Sequence, residues 1–194
     1  TGIKAGEAIA GDALERELLL LSDLPGIEVA STLRPGASVG TTDLDVRLAG
    51  KSPYGGSLEL DNYGNRYSGE TRLGGNFTAG NLLGLSDTLS LRALVAERME
   101  YGRLAWQLPV GSAGTQLGAA WSEMNYRLGK DFAALNAHGT AQIGSLYVLH
   151  PFVRGRTANL NGQLNYDAKR LADDIDSTAT RTHRSLDVWT LGLS

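Results

Sequence analysis

From Tyr54 to Ser194 the sequence reads as one alternating segment after another, each closed by a turn, with no helix between them. Ser57-Leu58-Glu59-Leu60-Asp61 alternates strictly. Thr71-Arg72-Leu73-Gly74-Gly75-Asn76-Phe77 puts Thr, Leu, Gly and Phe on one side and Arg, Gly and Asn on the other, and Thr88-Leu89-Ser90-Leu91-Arg92-Ala93 alternates in the same way. Successive side chains of a strand point to opposite faces, so each segment carries one apolar and one polar face. Such a run constrains the fold more than any other feature. It is the cumulative signature of an antiparallel, up-and-down membrane β-barrel. Alternation and turn signals predict about eight strands, near 54–63, 67–79, 86–97, 100–110, 114–127, 139–152, 156–171 and 183–194. Short connections (Gly111-Ser112-Ala113-Gly114, Gly155-Arg156) are expected at one end and longer ones (Lys130–His138, Asp173–His183) at the other. Trp106, Trp121, Tyr147 and Tyr166 are expected mostly on the apolar faces, as lipid-facing or interfacial aromatics.

Composition narrows the alternatives. A chain of 194 residues holds one domain or one and a half. The net charge of −3 leaves no basic footprint, which argues against a nucleic-acid partner. Hydrophobic residues make up 42% and are patterned, which argues against disorder. Several of the 25 glycines fall inside strand-like segments (Gly74, Gly75, Gly118, Gly144, Gly162), where they mark bends or close backbone approach. Cysteine is absent, so disulfides and thiolate metal sites are ruled out. No apolar run reaches the roughly 18 residues of a transmembrane helix. The chain starts at Thr1, with neither Met nor a signal peptide, and is expected to be an internal piece of a longer precursor.

Residues 1–50 differ from the rest. Glu7 to Ser22 has the stripe of an amphipathic helix (Ala8, Ile9, Leu14, Leu18, Leu21), stopped by Pro25-Gly26. Ile27–Leu33 and Asp43–Leu48 are expected as strands joined through Arg34-Pro35-Gly36-Ala37. Helix, strand and hairpin make part of a small α+β unit, and Gly50-Lys51-Ser52-Pro53 links it to the strand-rich remainder.

Several stretches resemble one family in order along the chain. Leu18 to Gly26, Leu33-Arg34-Pro35-Gly36 and Gly40-Thr41-Thr42-Asp43-Leu44 resemble the last POTRA domain of two-partner secretion transporters, the haemolysin and filamentous-haemagglutinin secretion/activation proteins of Gram-negative outer membranes. Leu60-Asp61-Asn62-Tyr63-Gly64 with Gly69, and Asn81-Leu82-Leu83-Gly84-Leu85-Ser86-Asp87, are similar to the start of the family's barrel. Tyr101-Gly102-Arg103-Leu104, Leu108-Pro109-Val110-Gly111 and Tyr126-Arg127-Leu128-Gly129 resemble its next strands. The resemblance implies a non-enzymatic outer-membrane pore that exports a large exoprotein without ATP or cofactor. Residues 1–50 would be the end of a periplasmic POTRA domain, and 51–194 the N-terminal half of a barrel of about sixteen strands. It further implies capture of the unfolded exoprotein by addition of its strand to a POTRA sheet edge. Ile27, Val29, Ser31, Leu44 and Val46 are the candidate docking residues, and a scaffold that seats the barrel is the equal alternative for the same hairpin. The partners are then the exoprotein and outer-membrane lipid. Val153-Arg154-Gly155-Arg156 lacks the Tyr of the superfamily's Val-Arg-Gly-Tyr loop and sits at a tight turn, so it is read as a turn.

The residues themselves offer no catalytic constellation. His138, His150 and His183 lack partners at a telling spacing and read as solvated or pore-facing. Asp173-Asp174-Ile175-Asp176 lacks the Gly and Glu of a calcium loop and reads as a solvated loop. Leu73-Gly74-Gly75-Asn76 precedes no helix and so is no phosphate cradle. No serine lies in a nucleophile elbow. The informative polar set is the expected inner face: Arg72, Asn76, Arg92, Arg103, Gln107, Asn161, Gln163, Asn165, Asp167 and Lys169, read as lining a hydrated lumen. Two rivals remain open. A soluble all-β binding protein alternates in the same way but must pack its apolar faces into a core. An outer-membrane assembly insertase of the same superfamily would share the barrel.

Overall fold

A computed structural model describes Gly6 and residues 10–194. The start of the expected helix, Glu7–Ile9, lies outside the described residues. The first element is α1, Gly11–Ser22. Asp12 in its first turn complements the positive end of the helix dipole, and Leu14 is its one buried residue. The helix ends where Asp23 N–H donates to the Leu19 carbonyl at 3.0 Å. Pro25 then removes a donor, and Gly26 takes φ 77°, a region that favours glycine. Strands β1 (Ile27–Pro35) and β2 (Thr42–Gly50) pair antiparallel from Ile27↔Gly50 to Pro35↔Thr42. The ladder runs further than the apolar pattern suggests because the loop closes itself. Gly36 N–H donates to the Thr41 carbonyl at 2.9 Å, and the Thr41 hydroxyl donates to the Ser38 carbonyl at 2.7 Å.

The remainder is one antiparallel sheet. Its strands are β3 (Tyr54–Asp61), β4 (Arg72–Gly80), β5 (Thr88–Ala96), β6 (Met99–Val110), β7 (Thr115–Arg127), β8 (Ala137–Arg154), β9 (Asn159–Ile175) and β10 (Thr180–Leu193). They lie side by side in chain order, an eight-stranded meander whose edges are β3 and β10. All the expected strands form, and the boundaries carry the corrections. The expected loop Asp173–His183 is mostly ladder, with Asp173↔Thr182 and Ile175↔Thr180 paired, leaving only residues 176–179 as a turn. Charged residues that read as loop continue the strands. Conversely β4 begins at Arg72, because residues 62–71 form a true loop.

The four connections named above fall at opposite ends as expected, 111–114 and 155–158 against 128–136 and 176–179, but length alone does not separate the two ends. The end that carries loops 62–71 and 128–136 also carries the two-residue turn Glu97-Arg98, and the opposite end carries 81–87, 111–114 and 155–158. The first group packs together. Arg98 N–H reaches the Ser68 carbonyl (2.8 Å), Gly129 N–H reaches the Tyr67 carbonyl (2.8 Å), and Tyr67 meets Phe132 edge-on.

Among the described residues the sheet has no second layer. The buried hydrophobic residues are Leu14, Ala79, Ala105 and Ala137, while Leu58, Leu60, Leu146, Trp189 and Leu191 are more than half exposed. Among the described residues the apolar faces do not pack on one another into a core.

Candidate functional site

Residues opposite one another in a ladder share a face, so the register sorts every side chain. One row runs Ser57, Asn76, Arg92, Arg103, Ser122, Ile143, Lys169. Another runs Thr88, Gln107, Gly118, Tyr147, Asn165. Arg72, Asn161, Gln163 and Asp167 fall on this same face, which thus holds every polar residue expected to line the lumen. They are cross-linked sideways. Arg72 donates twice to Asp61 (2.8 and 3.1 Å), and Arg92 meets Glu59 at 3.4 Å. Tyr147 donates to Gln107 (3.3 Å), Ser145 to Asp167 (2.6 Å), and Lys169 lies 3.6 Å from Asp167.

This face is also the more shielded one, which marks it as the concave side of a one-layer sheet. Ala105, Ser122 and Ser145 are buried, whereas their chain neighbours Leu104, Trp121 and Leu146 on the other face are exposed. Tyr147 is the exception among the aromatic expectations, since it sits on this polar face with its ring over Gly118 on the adjacent strand. Trp106, Trp121 and Tyr166 lie on the other face, as expected.

That other, convex face carries the large apolar side chains. One row reads Phe77, Leu91, Leu104, Trp121. The next reads Tyr54, Ala79, Leu89, Trp106, Ala119, Leu146, Tyr166, Trp189, and the one below it Leu108, Leu117, Val148, Leu164, Leu191. The belt runs obliquely to the rows. On β3 to β5 it reaches Leu60, Leu73 and Val95, whose row continues as Glu100, Asn125 and Thr140. The row beneath turns polar at Glu123, Gln142 and Arg170, and on β10 Asp187 is polar one row lower still. The border thus falls about three rows, or about 20 Å, across seven strand spacings totalling about 34 Å, a slope of ~30°. Barrel strands tilt by roughly 35–45°. An apolar belt cut at that slope is what a flat bilayer leaves on tilted strands.

Two of the interior glycines have a steric reason. A Cβ at Gly118 would overlap the Tyr147 ring, and one at Gly139 would meet the Tyr126 ring at 2.7 Å. Both lie beneath a long cross-strand side chain.

At the end of the sheet holding turns 81–87, 111–114 and 155–158, α1 is docked. Arg154, the last residue of β8, forms a two-pronged pair with Asp23 (2.8 and 2.9 Å). Arg16 donates to the carbonyls of Pro151 (2.8 Å), Ala113 (3.2 Å) and Phe152 (3.5 Å), and Glu15 accepts from Arg156 N–H at 2.7 Å. Leu20 fills the space that a side chain on Gly114 would need, and Pro25 does the same for Gly80. The Val153–Arg156 stretch is a tight turn, closed by Gly155 N–H to the Ala158 carbonyl (3.0 Å). The sequence pattern marks the turn but not the dock, because nothing local says that Arg154 faces a residue 131 positions away.

In the hairpin, Ile27, Val29, Ser31, Leu44 and Val46 share one face. Ile27, Val29 and Leu44 are half-buried, while Ser31 and Val46 are exposed. Elsewhere, Asp173 is a ladder residue that accepts from the Tyr126 hydroxyl at 2.7 Å, and Asp176 lies 3.6 Å from His138. His150 bonds Thr115 at 2.8 Å. Among the described residues no cluster of His, Asp and Glu could hold a metal.

Residues 40–194 match the haemolysin secretion/activation protein ShlB/FhaC/HecB family. The chain belongs to this family. It is 26% identical over its whole length to the heme/hemopexin transporter protein HuxB of Haemophilus influenzae, of which it spans 34%. It is 24% identical over 66% of its length to the outer membrane transporter CdiB of Dickeya dadantii, spanning 24% of that protein. Among solved structures, CdiB from Escherichia coli superposes with a TM-score of 0.75 at 19% identity, covering 97% of this chain and 36% of the other. BamA from Haemophilus ducreyi gives 0.58 at 13% identity, over 93% and 36%. The last two are likenesses of fold.

Proposed function

We propose that the chain is part of an outer-membrane two-partner secretion transporter, with residues 1–50 the C-terminal part of a periplasmic POTRA domain and 51–194 the N-terminal half of the barrel. The observation that carries this reading is the oblique belt of exposed large apolar residues on the convex face, set against a bonded polar concave face. Two solvents account for it, lipid outside and water inside. The exported substrate is a large exoprotein. It is captured unfolded on the hairpin bearing Ile27, Val29, Ser31, Leu44 and Val46, by addition of its strand to a sheet edge. It then moves past Arg72, Asn76, Arg92, Arg103, Gln107 and the Asn161–Lys169 row. The lining works by staying wet and by offering no apolar stretch on which an extended chain would stick. Folding outside the cell gives direction, so no group on the wall has to do chemistry. The open edges β3 and β10 would be paired in the complete barrel, since unpaired edges are unsupportable in lipid. Residues 1–194 alone are accordingly not a functional pore.

The test uses the full-length parent in liposomes with brominated acyl chains and single-Trp versions. Trp121 (49% exposed) and Trp189 (68% exposed) should be strongly quenched, and a Trp replacing Tyr147 on the polar face should not. Equal quenching on both faces, or none on the apolar face, removes the reading.

A further inference from the structure

Turn 81–87, Asn81-Leu82-Leu83-Gly84-Leu85-Ser86-Asp87, joins β4 to β5 beside the docked helix. It points its hydrocarbon outward, with Leu82 48%, Leu83 64% and Leu85 56% exposed. Its polar groups point inward. Asn81 N–H donates to the Asp87 carbonyl (2.6 Å), Leu83 N–H to an Asp87 carboxylate oxygen (3.0 Å), Ser86 N–H to the Asn81 side-chain oxygen (2.9 Å) and Gly84 N–H to the Asn81 carbonyl (3.5 Å). The other Asp87 carboxylate oxygen accepts from the Trp106 indole at 3.0 Å, and Asp87 is wholly shielded from solvent. To hold this shape Asn81 and Ser86 adopt φ 55° and 56°, a region that side chains rarely occupy. The turn is otherwise uncharged, whereas loops 62–71 and 128–136 at the opposite end expose Arg66, Glu70, Lys130 and Asp131 in ion pairs.

A turn meant for water has no need to satisfy its backbone internally or to show three leucines. Both features suit a turn that dips toward the hydrocarbon, where unpaired backbone groups are costly. Trp106 belongs to the apolar face, so the turn curls onto that face, directly below Phe77, Ala79, Leu89 and Leu91. On β4 and β5 the belt ends at Ala79 and Leu89, just above the turn, while on β6 to β10 it runs one row further through Leu108, Leu117, Val148, Leu164 and Leu191. We infer that turn 81–87 is a membrane anchor, with Leu82, Leu83 and Leu85 seated among the headgroups and upper acyl chains of the periplasmic leaflet. It would fix the depth of the sheet beside the α1 dock. This rests on the barrel reading above.

Lipid-borne quenchers separate a failure of the anchor from a failure of the barrel. In cysteine-free full-length parent in phosphatidylethanolamine–phosphatidylglycerol vesicles, a bimane fluorophore is placed singly on L83C, L85C, L91C and, in the hairpin loop, S38C. Nitroxide is carried either on the lipid headgroup or midway along the acyl chain. The expected result is loss of fluorescence at Leu83 and Leu85 mainly to the headgroup nitroxide, loss at Leu91 mainly to the mid-chain nitroxide, and no loss at Ser38. Quenching at Leu91 with Leu83 and Leu85 as bright as Ser38 overturns the anchor and leaves the barrel. That outcome includes a turn covered by a protein partner instead of lipid. No quenching at Leu91 overturns both.

Discussion

The two faces of the eight-stranded sheet are built by alternate residues of the same strands, yet they obey opposite rules. The concave face hides small residues such as Ala105, Ser122 and Ser145 and cross-links its polar ones. The convex face exposes Leu58, Leu91, Leu104, Trp121 and Trp189 without covering them. In a water-soluble sheet the apolar face is the one that finds a partner layer. Here the described residues supply no such layer, while the border of the belt runs close to the tilt of a barrel strand. The lesson is that large apolar side chains do not mark the inside of such a protein. The shielded polar face and the slope of the belt do.

The sharpest way to break the comparison is a pair of neighbours. Leu91→Arg puts charge in the belt and is expected to cost about 2–4 kcal/mol in lipid. Arg92→Leu, one residue on, is expected to stay within about 1 kcal/mol, since it gives up only a part-exposed pair with Glu59. Urea unfolding of the vesicle-bound parent measures both, and equal costs would erase the distinction between the faces. A second contrast uses glycines. Gly118→Val drives into the Tyr147 ring and should cost about 1–3 kcal/mol. Gly102→Ala meets nothing within 4 Å and should be nearly silent in the same assay.

Acid should act at Asp87. The Trp106 indole N–H, followed by the N–H groups of Leu83, Asp87 and Leu85, holds the Asp87 carboxyl below the usual carboxylate range against the opposing effect of burial. Its contribution to stability is therefore whole above the unfolded value of about 3.9 and drains away as pH falls from there through the lower native value. Asp87→Asn should flatten this acid limb, read as Trp fluorescence against pH, while leaving the neutral-pH signal of Trp121 and Trp189 in place. A small effect is expected at the dock. Asp23 and Arg154 are both part-exposed (side-chain accessibilities 40% and 26%), so Arg154→Ala should cost only about 0.2–1 kcal/mol. It should nevertheless widen the distance distribution between spin labels on α1 and turn 111–114. An unchanged distribution would show that Arg16 and Leu20 hold the helix without it.

Much of this is legible in the residues alone. Period-two alternation fixes which residues share a face, so Arg72, Asn76, Arg92, Arg103, Gln107 and the Asn161–Lys169 series fall together as expected. Turn chemistry places every strand. The errors come where polarity is taken for loop. Asp173 and Asp174 belong to the ladder, and Tyr147, an aromatic, faces the polar side with its hydroxyl on Gln107. The hairpin residues Ile27, Val29, Ser31, Leu44 and Val46 also fall on one face, and α1 runs beside β1.

The strands and the two-sided chemistry follow from the residues, because side-chain alternation is a local property of an extended chain. Which face is the more shielded, at what slope the belt crosses the ladders, and that Asp23 and Arg16 of the N-terminal unit hold groups more than 90 residues away emerge from the folded arrangement. Curvature, stagger and docking depend on how strands are offset against one another and on contacts between distant segments, and no local pattern encodes a distance through space.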